Sequence, residues 1–206
     1  MQRLLKSRKT KPETRKLPVV YTIGHSTRDL SKFLDLLGSF GVKQLVDVRT
    51  VPRSRRTPQF NADQIARPLK AAGIHYVQLA ALGGLRRPVH DSVNTGWHNA
   101  SFRGFADYMQ SLEFQRGLER LKKVASRRPT AIMCAEAVPW RCHRRLIADA
   151  LTAGGARVMH IFSAHRSQEH TLTPFACVKG ERITYPEDPR SGSSIQPCAP
   201  SAPEFR

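Results

Sequence analysis

The stretch from Thr130 to Leu151, TAIMCAEAVPWRCHRRLIADAL, constrains the fold more than any other part of the chain. Ala131, Ile132 and Met133 form a short apolar run closed by Cys134, the pattern of a buried strand. Pro139 then stands where a helix's first residue should be, because its φ is preset and it has no N–H to lose. Beyond it Cys142 and Leu146 are four apart, and His143, Ile147 and Leu151 recur every fourth residue, which gives one buried helix face. Gly154 and Gly155 stop the helix, so one is predicted over 139–153. Cys134 and Glu136 therefore lie at a strand's carboxyl end, and Cys142 and His143 in the first turn of the next helix. In an open α/β sheet that edge is where ligands bind.

The remaining chain repeats the unit. Pro18–His25 is β-branched and aromatic and reads as a first strand, with Ser26 in the turn after it. Asp29 or Ser31 caps a helix carrying Phe33, Leu34, Leu36 and Leu37, and Gly41 closes it. Leu45–Val48 is a second strand, followed by Arg49 and a Pro-bounded loop, VPRSRRTP. Asn61 to Gly73 is a helix, and Ile74–Leu79 a third strand. Ala80–Arg103 is long and irregular, the kind of loop that is usually functional. Residues 104–127 hold one helix or two, Ala131–Cys134 is the fourth strand, and Ala156–Phe162 the fifth. The expected fold is a single three-layer α/β domain, residues 18–162, with a mostly parallel five-stranded sheet covered by helices on both faces. Residues 1–17 are a basic arm without periodicity. Residues 163–206 read as an irregular tail, largely disordered and Pro- and Ser-rich from 186 onward.

Charge favours an anionic partner. The chain carries 34 Lys plus Arg against 16 Asp plus Glu, a net +18. The arm accounts for +6 and residues 163–206 for none, so the body keeps +12. A nucleotide, a nucleic acid or another phosphorylated ligand fits that balance, as does a soluble protein that is merely arginine-rich. No apolar run reaches membrane-spanning length, and the basic start lacks the apolar core of a secretory signal. Cys134, Cys142, Cys177 and Cys198 show no disulfide framework, so a reduced, cytoplasmic protein without membrane contact is expected.

All strand ends of a parallel sheet point one way. His25, Ser26, Asp47, Arg49, Arg53, Arg55, Arg56, Arg86, Arg87, Cys134, Glu136, Arg141, Cys142, His143 and Arg144 therefore share one rim. Cys134 is either a small core residue or a thiolate at a helix N-terminus, acidified by Arg141 and Arg144. Glu136, His143, His25 and Asp47 are the candidate acids and bases; each has a plain alternative as a partner of an arginine or a backbone group. Ser26, Arg49, Arg53, Arg55, Arg86, Arg87, Arg141 and Arg144 suit an oxyanion, because the guanidinium fork binds it bidentately. Cys134, Cys142 and His143, with a fourth ligand such as His25, have the atoms that zinc prefers, but not a standard ligand spacing. Trp97, Phe102 and Phe105 either stack on a base or anchor their loop.

Four motifs in order, TIGHSTR, LVDVRTVPRSRR, LGGLRRP and CAEAVPWRCHRRLIA, resemble the bacterial and archaeal family catalogued as domain of unknown function 488, over roughly residues 20–162. The last motif is similar to the family's C-x-E-x5-C-H-R, with Cys134, Glu136, Cys142, His143 and Arg144 in place. The resemblance implies a single α/β domain and supplies no reaction. Two functions follow from the rim: binding of a phosphorylated ligand, nucleotide or nucleic acid, with Cys/His/Glu-dependent catalysis, or a non-catalytic nucleic-acid-binding module with a structural or metal-bound Cys/His cluster.

Overall fold

The computed structural model describes residues 19–187. Five strands, β1 (Val20–Gly24), β2 (Gln44–Asp47), β3 (His75–Gln78), β4 (Thr130–Cys134) and β5 (Val158–Ser163), run parallel, in the order β3-β2-β4-β1-β5. Helices α1 (Leu30–Ser39) and α2 (Ala62–Ala71) cover one face. Helices α3 (Ala100–Tyr108), α4 (Leu112–Ala125) and α5 (Arg144–Ala153) cover the other. The period of two along β4 shows why both faces are needed. Ala131 and Met133 join Phe33, Leu37, Ile65 and Leu69 beneath α1 and α2, while Ile132 and Cys134 join Leu146, Ile147 and Leu118 on the opposite side. Gly41 and Gly73, both at positive φ, end the first two helices as their positions in the sequence require.

The sheet is larger than the expected five strands. β6 (Arg166–Glu169) pairs antiparallel with β5 at the edge, across an irregularity between Ile161 and Ser163. Its sequence, RSQE, has no apolar face and stays largely exposed, so hydrophobic patterning gives no sign of it; a charged edge also resists further pairing. The chain does not become irregular after Phe162 either. β7 (Cys177–Lys179) and β8 (Arg182–Thr184) form a hairpin, and Ile183 and Tyr185 are buried in the α3–α5 core. The segments expected to be disordered, 1–17 and most of 186–206, lie outside the described residues. Among the described residues, no helix is long and apolar enough to cross a membrane.

Two more boundaries differ. α3 begins inside the supposed loop, because the Asn99 side chain caps it by accepting from the N–H groups of Ser101 and Phe102. Pro139 starts not an α-helix but a single 3-10 turn, Pro139–Arg141. Cys142 then takes an extended conformation, φ −139° and ψ 145°, and α5 starts at Arg144. Cys142 and His143 thus precede the helix rather than fill its first turn.

Candidate functional site

The register aligns the strand ends. Gly24 of β1 lies beside Cys134 of β4, and Asp47 of β2 beside Met133. The chain continues the pairing one step further: His25 N–H donates to the Cys134 carbonyl at 3.0 Å and Val48 N–H to that of Met133 at 3.0 Å. His25, Arg49 and Cys134 therefore stand at one edge. β2 connects onward beneath one face and β4 across the other, so the chain diverges between them and leaves a crevice.

One wall is a closed set of ionic bonds. Asp47 is fully buried and accepts from Arg49 Nε at 2.9 Å, Arg49 Nη2 at 2.6 Å and the Tyr76 hydroxyl at 2.7 Å. Arg49 also donates from Nη2 to the Phe60 carbonyl at 2.7 Å and from Nη1 to His25 Nε2 at 3.2 Å. Four of its five hydrogens are committed, leaving one on Nη1. The opposite ring nitrogen of His25 donates to the Ser26 carbonyl at 2.9 Å, so the ring is neutral and only accepts from Arg49. Burial, with the charges of Arg49 and Arg144, lowers the His25 pKa to about 4. Asp47 and His25 thus position Arg49 and do not line the crevice themselves.

The floor holds two sulfurs. Cys134 and Cys142 are free thiols, 2.6 Å apart, too close for two thiols in mere van der Waals contact. The Arg144 guanidinium is buried beside them, donating from Nε to Cys134 Sγ at 3.0 Å and from Nη2 to the Glu136 carbonyl at 2.6 Å. Among the described residues no carboxylate pairs with it. A buried cation without a counter-charge costs several kcal/mol, and the two sulfurs are the groups beside it that can carry the compensating charge. Burial and the hydrogen bond to Cys142 push Cys134 well above the ordinary thiol range. Burial also opposes ionisation of Cys142, but the hydrogen bond from Cys134, the adjacent His143 ring and the charge of Arg144 outweigh it and hold Cys142 well below that range. Within this pair the opposite directions make Cys142 the more acidic thiol, while Cys134 takes the guanidinium N–H. His143 donates from Nε2 to the Val48 carbonyl at 3.0 Å, which turns its Nδ1 toward Cys142 Sγ at 3.6 Å.

Above the sulfurs is a cavity of about 390 Å³ whose walls include Thr50, Val51, Leu85, Ser101 and Phe102. Arg49, Glu136, Arg141 and His143 also line it. The other candidate residues are dispersed. Ser26 has positive φ and commits its N–H to the Ala135 carbonyl. Arg53, Arg55 and Arg87 are exposed on the loops after Val51 and Leu85. Arg86 stacks its guanidinium on the Tyr108 ring, 3.5 Å from the centroid. Arg144 holds sulfur rather than ligand.

A family model described as "Domain of unknown function DUF488" matches residues 29–151, more than half of the chain. The chain belongs to this family. The matched range is shorter than the 20–162 suggested by the motifs, and TIGHSTR falls just before it. Comparison with curated proteins and with solved structures finds no match.

Zinc does not fit this DUF488 domain's sulfur pair. Among the described residues no group of three or more His, Cys, Asp and Glu is arranged to hold a metal. The place a cation would take beside Cys134 belongs to Arg144. Trp97 is enclosed by Phe102, Phe175 and Tyr185, and Phe105 is fully buried, so these two anchor the loop; only Phe102 reaches the cavity. Of the cysteines expected to be reduced, Cys177 is disulfide-bonded.

The sequence reading missed a second polar array on the far side of α5. Asp149, fully buried, accepts from His170 Nε2 at 2.8 Å, from the Thr173 hydroxyl at 2.7 Å and from the Tyr185 hydroxyl at 2.9 Å. His170 Nδ1 in turn faces His160 Nε2 at 2.9 Å, and His160 Nδ1 faces the Thr22 hydroxyl at 2.7 Å. With Asp149 only accepting, neutral rings must each donate toward it, and Thr22 starts the chain. A carboxylate inside the buried face of α5 was the available signal.

Backbone clearance fixes the thiol site. A Cβ on Gly24 would overlap the Glu136 carbonyl oxygen, the same atom that accepts from Arg144. Because the obstruction is backbone, it cannot swing aside. Gly24→Ala is expected to destabilise the domain by about 1–3 kcal/mol, the usual range for overpacking, and to slow Cys142 alkylation. Urea unfolding and iodoacetamide rates check both; unchanged values would mean the Glu136 loop yields freely.

Proposed function

We propose that the strand-end cavity is a thiolate-dependent active site for a small phosphorylated ligand, a mononucleotide being the largest class that its volume suits. The observation carrying this reading is Arg144, a buried guanidinium whose counter-charge is a sulfur pair at the cavity floor. Structural cysteines have no need of a buried cation, whereas a nucleophilic thiolate does. Cys142 is the nucleophile in this reading. His143 Nδ1 is the base that takes its proton, and Val48 fixes the tautomer. Glu136 is the carboxylate on the rim. Arg141, together with the remaining hydrogen of Arg49, would hold the anion.

Alkylation of Cys142, followed by peptide mapping across pH, tests both parts. The rate midpoint is expected below that of free cysteine, about 8.5. Phosphate or a mononucleotide is expected to slow alkylation at neutral pH. A midpoint at or above 8.5 sinks the nucleophile, and a low midpoint without protection sinks the phosphorylated ligand.

The exposed arginines after β2 and β3, on a body of charge +12, favour a second reading as a nucleic-acid-binding module. That reading requires binding that weakens steeply with salt and ignores Cys142→Ser.

A further inference from the structure

We propose that Cys134 and Cys142 form a peroxide-reactive dithiol, in which Cys142 attacks a hydroperoxide and Cys134 resolves the product as an intramolecular disulfide. The inference rests on the cavity floor being a thiolate site, but not on what phosphorylated ligand enters it. The two sulfurs come from separate elements, the end of β4 and the residue after the 3-10 turn, yet they lie 2.6 Å apart. A disulfide bond is about 2.05 Å, so closing it needs no rearrangement of the strand or the helix. Redox-active cysteines typically pair an acidic thiol with an adjacent resolving one. The contacts make the roles unequal: Cys134 accepts from Arg144 Nε at 3.0 Å and from the Glu136 N–H at 3.3 Å, whereas Cys142 accepts from the Arg144 backbone N–H at 3.4 Å and alone faces a ring nitrogen able to take its proton, His143 Nδ1 at 3.6 Å.

Burial selects the oxidant. Cys134 and Cys142 are 2 % and 3 % exposed at the bottom of the cavity. Thiol–disulfide exchange with a bulky disulfide requires three sulfurs in line, which a floor position obstructs, whereas the two oxygens of a hydroperoxide reach it. The Cys142 thiolate attacks the terminal oxygen, the O–O bond breaks, and the departing alkoxide or hydroxide takes a proton from solvent. Cys142 is now a sulfenic acid. Cys134 attacks its sulfur, an S–S bond forms and water leaves, carrying the Cys134 proton. The protein loses two electrons, and the peroxide is reduced to an alcohol or to water. Two molecules of a small thiol, narrow enough to enter the cavity where a bulky disulfide is not, restore the pair and leave as their own disulfide.

Full-length protein treated with equimolar hydrogen peroxide, then denatured, alkylated and mapped, decides the matter. The expected product is a 134–142 disulfide, formed at least about ten times faster than free cysteine is oxidised at the same pH. Cys134→Ser should stop at the sulfenic acid, trapped on Cys142 by dimedone. Cys142→Ser should leave Cys134 no more reactive than free cysteine. Absence of the 134–142 disulfide in the unmodified sequence overturns the inference without recourse to either variant. If Cys142 alkylation in the same sample still has a low midpoint, only the dithiol reading fails; if the midpoint is ordinary, the thiolate site fails with it.

Discussion

Lowering the pH from 6.5 to 4.5 is expected to remove much of the domain's stability, and two buried histidines are the reason. His25 and His160 are 2 % and 6 % exposed. Burial lowers both pKa values from 6.5 to about 4; the nearby Arg49 adds to the effect at His25, and His170 and Arg144 at His160. The sign follows from proton counting. Above pH 6.5 both rings are neutral whether the chain is folded or unfolded, and they favour neither state. Between 6.5 and 4 the unfolded chain binds protons that the folded one refuses, so stability falls as pH falls. A depression from 6.5 to about 4 corresponds to on the order of 3 kcal/mol for each ring. Two such terms rival the 5–15 kcal/mol that typically separates folded from unfolded chains. Ordinary carboxylates titrate near 4, so the fall above pH 4.5 belongs mostly to the histidines. Urea midpoints measured from pH 7 to 4.5 should decline steeply, with proton uptake on unfolding approaching two. His160→Gln should cut that uptake by about one while leaving the His25 part intact. A flat profile would mean that one or both rings accept protons in place.

The parts of the fold that the sequence reveals are those whose burial sets a period. β4 is buried at every position because both its faces are covered, and α5 shows its buried stripe at fourfold spacing. The rim was legible for the same reason, since parallel strands carry whatever follows them to one edge. β6 escaped because an exposed edge strand needs no apolar face. The hairpin escaped because its contribution to the core is concentrated in two residues, Ile183 and Tyr185, which set no period. Within the rim, side-chain partners were out of reach of sequence reasoning. Arg49 and Arg144 resemble each other as residue types. Yet one is consumed by Asp47 two positions away, and the other crosses to Cys134, ten positions back. That second contact depends on Cys142 being extended before α5, which turns its sulfur back toward β4. A helix running unbroken from Pro139, as the periodicity suggests, would put Cys142 in a regular first turn instead.

Arg144→Met should be the most damaging single change to the thiol site, and its effect should grow with pH. Methionine keeps the bulk and flexibility of the arginine stem but removes the charge and the donors to Cys134 Sγ and the Glu136 carbonyl. Without the guanidinium, a thiolate at the cavity floor has no cation, and burial makes both sulfurs hold their protons. The Cys142 alkylation midpoint should then rise past that of free cysteine, about 8.5, and the rate at pH 7 should drop at least about tenfold. Stability reports the same change independently. In the native sequence the folded-state pKa of Cys142 is depressed, so its stabilisation is complete above the unfolded value and fades as pH falls through the folded one. In Arg144→Met the folded-state pKa is raised, so stability is instead lost as pH climbs past 8.5. The gap between the two proteins must therefore widen from pH 6 to pH 9, reaching about 3–5 kcal/mol, the scale for breaking a buried ion pair. An arginine that merely fills space, or merely satisfies the Glu136 carbonyl, would give the same gap at both pH values. Urea unfolding at pH 6 and pH 9 separates the cases: a constant difference would show that Arg144 holds the loop and not a thiolate.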